Sequence, residues 1–155
     1  MDTAQLSASA PTHRTARKGS FLRAATACAL AATGVNLLLW GIGRAAGASF
    51  MVDPGVGAPN VEVGGLKLVM TTLLPFAVGV LALALAARWS RRWVVGVAVV
   101  GVALAVASAA GPLDGGHDTA TGVLLATMHL TTGAAFVVAA TRVRGRWEPR
   151  DRTHA

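Results

Sequence analysis

The stretch Thr119–Thr141 reads TATGVLLATMHLTTGAAFVVAAT, with no Asp, Glu, Lys or Arg and with one histidine, His129, near its middle. About 20 apolar residues, rising 1.5 Å each, cross a hydrocarbon core of ~30 Å. Three similar runs precede it, at about Ala24–Gly43, Leu68–Ala87 and Trp93–Ala110. Inside lipid a segment must satisfy its own backbone donors and acceptors, which makes each run a helix. The expected fold is therefore all-α: a four-helix antiparallel transmembrane bundle.

The rest of the chain fits that constraint. Apolar residues make up 54% of it and charged residues 14%, with mean hydropathy +0.56; a soluble globular chain carries about 25% charged residues. The charged residues lie at the ends and in the connectors. The net charge of +7 then reflects basic flanks of apolar runs. It does not point to nucleic acid, since no basic helix with interleaved aromatics and no recognised module is present. The single cysteine, Cys28, excludes an intramolecular disulfide and a cysteine-based metal site.

Residues 1–20 are polar and rich in small residues, without hydrophobic period, and are expected to be a disordered tail. The membrane domain is expected over residues 21–141, with a basic tail at 142–155. The first run is longer than the h-region of a cleaved signal peptide, so a retained signal-anchor helix is the better description. The sequence around Cys28, AATAC, lacks the leucine of a lipoprotein site. The connector Arg44–Lys67 carries repeated Gly and Pro, which argues against a fifth span; a short interfacial segment near Ala48–Val52 is an alternative for part of it. Pro75 falls inside span 2 and is expected to kink it, with Thr71 placed to help the freed carbonyl. The connectors RWSRRW (Arg88–Trp93) and GPLDGGHD (Gly111–Asp118) are basic and acidic, respectively.

Of the 14 Lys and Arg residues, all but Arg44 and Lys67 fall in the N-terminal flank, the RWSRRW connector or the C-terminal tail. By the positive-inside rule, both termini are cytoplasmic. Asn36 then lies roughly 18–20 Å from the cytoplasmic surface, and His129 roughly 13–15 Å below the outer one. Thr72 and Ser108 fall in the same outer half. Each span also carries small residues at helical spacing, such as Ala25, Ala29 and Ala32 before Asn36, or Gly122, Ala126 and Gly133 around His129. Such stripes let helices approach closely where lipid gives no hydrophobic drive to associate.

His129 is the one ionisable side chain inside a span apart from the Cys28 thiol, and such residues are default candidates for function in a membrane. It serves either a ligand or proton in an outward-facing cavity, or the packing, as a neutral imidazole donating to Asn36 or to a backbone carbonyl. Asn36 needs a partner on another helix, because an amide alone in hydrocarbon is costly. Thr72 and Ser108 complete the set of candidate polar contacts. Asp114, His117 and Asp118 make a weak metal pattern and a good solvated turn, with Asp118 placed to cap span 4. No span holds the carboxylate of a proton-coupled small multidrug exporter, the cysteine pair of a quinone-linked thiol enzyme or the paired histidines of a membrane cytochrome. No cofactor is expected, and an enzyme is disfavoured.

The runs NLLLWGIGRAAGASF, GPL and MHLTTGAA together resemble an actinobacterial family of four-helix integral membrane proteins classified as a domain of unknown function. The resemblance covers roughly residues 22–141. It implies four spans, a bacterial plasma membrane, and Asn36, Pro112 and His129 as pattern positions; it implies no activity. The leading function is a non-enzymatic accessory or interaction subunit, self-associating or bound to another membrane protein in the lipid bilayer; the alternative is a small-molecule carrier or binder with an outer-half polar cavity around His129. The topology is tested with C-terminal reporter fusions. A reporter active only in the cytoplasm is expected to work, and one active only after export is expected to fail.

Overall fold

The computed structural model describes residues 13–55 and 57–144. It has four helices, α1 (His13–Ala45), α2 (Gly65–Trp89), α3 (Arg91–Gly115) and α4 (Thr119–Arg144), with a small hairpin, β1 (Met51–Val52) and β2 (Val61–Glu62), between α1 and α2. All four helices are long and apolar enough to cross a membrane. The fold is all-α, as the four apolar runs require.

The helices run further than the apolar runs. α1 starts at His13, inside the segment expected to be a disordered tail. The rest of that expectation, residues 1–12, lies outside the described residues, as does the tail from 145 onward. RWSRRW is helical except at Ser90, whose extended backbone ends α2 and starts α3. α3 continues through Pro112 to Gly115, past the expected end at Ala110. Composition marks where charge begins; backbone hydrogen bonding continues until a residue turns the chain, here Ser90 and Gly116.

α4 is the hub. It packs closely along both α3 and α1 and also meets α2. α2 touches each of its neighbours more lightly. Small residues allow the close approaches: a Cβ on Gly133 of α4 would stand 2.7 Å from Ala105 Cβ of α3. The stripes of α1 and α4 are buried, including Ala25, Ala32, Asn36, Ala126 and Ala140. On α3 few side chains are enclosed, Val94 and Ala109 among them, and the rest of the helix is a largely exposed apolar surface.

Phe136 of α4 wedges between α2 and α3. Its ring meets Phe76 edge-on, with centroids 6.0 Å apart. It fits because Gly79 and Gly101 face it from either side; a Cβ at Gly79 would come within 2.6 Å of the ring, and one at Gly101 would also overlap it. Gly79→Ala and Gly101→Ala are each expected to destabilise the bundle by about 1–3 kcal/mol, the usual cost of overpacking. Unfolding in mixed micelles would measure this, and adding Phe136→Leu to either variant is expected to recover part of the loss.

Candidate functional site

At one end of the bundle the hairpin forms a lid stitched to the α3–α4 turn. Asp53 N–H donates to the Gly115 carbonyl (2.8 Å) and His117 N–H to that of Met51 (3.1 Å). Trp40 Nε1 donates to the Val63 carbonyl at 2.9 Å, so this indole fastens the lid to α1. Phe50 has φ 52°, a left-handed conformation uncommon for a non-glycine residue. Its surroundings hold it there: the ring is fully buried beside Gly43, its N–H donates to Thr121 Oγ1 (2.9 Å), and its carbonyl accepts from Val63 (2.8 Å).

Asp118 ties the lid to α4. Its Oδ1 accepts the Thr121 N–H at 2.7 Å, the N-terminal cap expected of it. Its Oδ2 accepts from the hydroxyls of Ser49 (2.6 Å) and Thr121 (2.7 Å) and from Ser49 N–H (3.1 Å). The Ser49 hydroxyl bond above all, with those from Thr121, holds this carboxyl well below the ordinary carboxylate range. Asp53 is lowered by the Asn60 N–H and then by His117, whose Nε2 lies 3.2 Å away. His117 and Asp118 thus face different partners, and no metal-holding group of three His, Cys, Asp or Glu occurs among the described residues.

Beneath the lid lies a mostly apolar cavity of about 750 Å³, bounded by α2, α3 and α4, with α1 contributing at its back. Val52, Asp53 and Pro54 of the lid region border one end, and Phe76 and Phe136 the other. Asn36, Thr72, Ser108 and His129 all line this one cavity. Of the two partners expected for His129, Asn36 or a backbone carbonyl, the carbonyl is the one observed. His129 does not meet Asn36; its Nδ1 bonds the Leu125 carbonyl one turn back, at 2.8 Å. Asn36 Nδ2 instead donates to Thr72 Oγ1 (3.2 Å) and Thr132 Oγ1 (3.1 Å), with the Met128 carbonyl at 3.5 Å. Asn36 is 1% exposed, yet its Oδ1 has no partner. Ser108 is exposed at the cavity margin and donates to its own helix at Leu104 (2.6 Å).

Sequence reasoning missed Thr132, Ser49 and Thr121. Thr121 carries a usable signal, since it stands three residues after the capping Asp118. Thr132 and Ser49 carry none, because their roles depend on which helices and loops become neighbours. Thr71 also departs from expectation: its hydroxyl donates to Lys67 (2.9 Å) and Leu68 (3.1 Å) carbonyls, not to the carbonyl that Pro75 frees.

Four membrane-length apolar helices beneath a hairpin lid define a multi-pass membrane protein. More narrowly, the chain belongs to a family of unknown function, DUF6069, which it matches over residues 16–146. No curated protein and no solved structure matches it.

The Asp118 clamp has a pH signature. A carboxyl lowered on folding stabilises fully above its unfolded value of 3.8, and that contribution drains away as pH falls through the folded value. Asp118→Asn is expected to melt at a lower temperature at neutral pH and to lose less stability than the wild type between pH 4 and lower values. Asp53 titrates in the same direction in both proteins, so the difference between their melting curves isolates the clamp.

Proposed function

We propose that this protein binds a small amphiphilic molecule within the membrane, in the cavity under the lid. One observation carries the proposal: a mostly apolar cavity of about 750 Å³ in which Asn36, Thr72, Ser108 and His129 meet. Ligand sites commonly enclose ~300–1,000 Å³, with apolar walls and a few convergent polar groups. Lateral access supports a ligand drawn from the bilayer. The rim residues Val78 of α2 and Val100 and Leu104 of α3 are 68%, 58% and 61% exposed. They lie toward the middle of their helices, at depths where the neighbouring medium is lipid.

The proposed setting is a bacterial cell membrane with both termini in the cytoplasm, on the strength of the Lys and Arg distribution. In that orientation the lid faces outward. An accessory subunit is the second reading, and the exposed face of α3 favours it, since Gly96, Ala103 and Ala107 leave that surface slender. The cavity favours binding over pure assembly, because packing alone gives no reason to keep it.

A photoreactive dodecanol, carrying a mid-chain diazirine, tests the proposal in proteoliposomes. Wild-type protein is expected to be labelled on cavity-lining peptides of α2, α3 and α4, and Val100→Trp, at the exposed rim, is expected to lose most of that label. Equal labelling of the two proteins, confined to lipid-facing positions, would overturn it.

A further inference from the structure

The polar groups around the cavity share a directional bias. Most of their hydrogens are already committed, and what they mainly present is acceptors. Ser108, Thr71 and Thr132 each give the hydroxyl hydrogen to a carbonyl of their own helix. A carbonyl only accepts, so the Nδ1 of His129 carries the ring hydrogen toward Leu125, and in the neutral ring Nε2 is left as an acceptor. The same logic orients Asn36. The Thr132 hydroxyl spends its hydrogen on Met128 (2.9 Å), so Thr132 and the Met128 carbonyl both require a donor, and the amide nitrogen must face them. Oδ1 then becomes the group without a partner.

The two in-helix prolines extend the pattern to the backbone. Pro75 has no N–H to offer the Thr71 carbonyl, and Pro112 has none for the Ser108 carbonyl. All four residues line the cavity, one pair on α2 and the other on α3. A helix interior in lipid keeps proline only where something else satisfies the freed carbonyl. Thr71 and Ser108 do not do so through their hydroxyls, which bond a turn earlier. Against these acceptors the wall offers few donors. Thr72 accepts from Asn36 and keeps its own hydrogen, and Lys67 stands at the lid end of the cavity.

We infer that the cavity selects hydrogen-bond donors: an apolar chain or ring bearing a hydroxyl, phenol or amine, in preference to an ester, ketone or ether of the same shape. The inference rests on the binding function proposed above and specifies its ligand. The donor enters a mostly apolar site, where leaving an acceptor unmatched is costly, and there it meets acceptors from α1, α2, α3 and α4. An acceptor-only ligand of equal size gains the same apolar contact but sets lone pair against lone pair.

The test compares the photoreactive dodecanol with its methyl ether on full-length protein in proteoliposomes, each normalised to labelling of Val100→Trp. In the wild type the alcohol is expected to label the cavity roughly tenfold more than the ether, about the effect of one buried hydrogen bond. In Pro75→Ala/Pro112→Ala the backbone N–H groups return, with no loss of helix propensity. The alcohol's advantage should shrink there while ether labelling holds. Asn36→Leu should shrink it too; if that variant does not fold, the proline variant carries the test alone. Equal labelling by the two probes in the wild type overturns the donor preference and leaves the binding function standing. An advantage unchanged in the proline variant overturns the assignment of the acceptors. Labelling by neither probe removes both the preference and the binding function.

Discussion

Three helices lean on one. α4 can meet α1, α2 and α3 together only because its contact faces are nearly bare: Gly122, Ala126, Gly133 and Ala140 turn toward neighbours, and α3 closes on Gly133 through Ala105. In lipid that closeness supplies most of the attraction, since dispersion and interhelical hydrogen bonds replace the hydrophobic effect. α2 is held differently. Its fastenings are a polar one, from Thr72 to Asn36 of α1, which in turn bonds Thr132 of the hub, and an aromatic one directly to the hub, through Phe76 and Phe136. From the lid to Phe136 the space beside α2 and α3 is the cavity. Tight packing on one flank of α4 and looser packing on the other have the same origin, the distribution of bulky and small residues around α4.

The polar fastening is imperfect in an informative way. The Asn36 nitrogen ties three helices, but interhelical bonds of this type are worth on average only ~0.6 kcal/mol in membrane proteins. An unmatched buried acceptor costs about 1–3 kcal/mol. Oδ1 therefore carries a cost in this packing, one that a hydrogen-bond donor would offset. The prolines have the same character. Each weakens a helix at the residue that borders the cavity, and neither is compensated by its own hydroxyl neighbour.

The apolar runs are legible in the sequence because a bilayer leaves a segment so few options. Length and the absence of charge suffice for the four spans, and the capping role of Asp118 follows from its place before span 4. Asn36, Thr72, Ser108 and His129 were legible as the polar members of the small-residue stripes, and they do border one cavity. Their partners were not legible. Asn36 and His129 lie at comparable depth, so depth alone pairs them; the rotation of α4 decides otherwise and presents Thr132 to Asn36. The hairpin was hidden for another reason. Its strands have two residues each, too short to show a period, and Gly and Pro nearby mark only turns. The contacts that hold it, from Ser49, Phe50 and Thr121, exist only once α1 and α4 are side by side.

The lid is more than a covering for polar loops. Asp53 and Pro54 border the cavity, and Asp53 is also bonded to Asn60 and His117, which fixes that end of the site to the α3–α4 turn. Asp118 anchors the same lid to α4 through Ser49, and Trp40 anchors it to α1 through Val63. The lid is thus braced to α1, α3 and α4, the three helices that pack tightly, while the polar fastening of α2 lies deeper, at Thr72. Any widening of the cavity therefore falls on α2, the helix with the fewest close contacts and a proline in its span. The exposed rim between α2 and α3 lies at that seam, so the route proposed for a ligand from lipid and the compliant part of the bundle coincide.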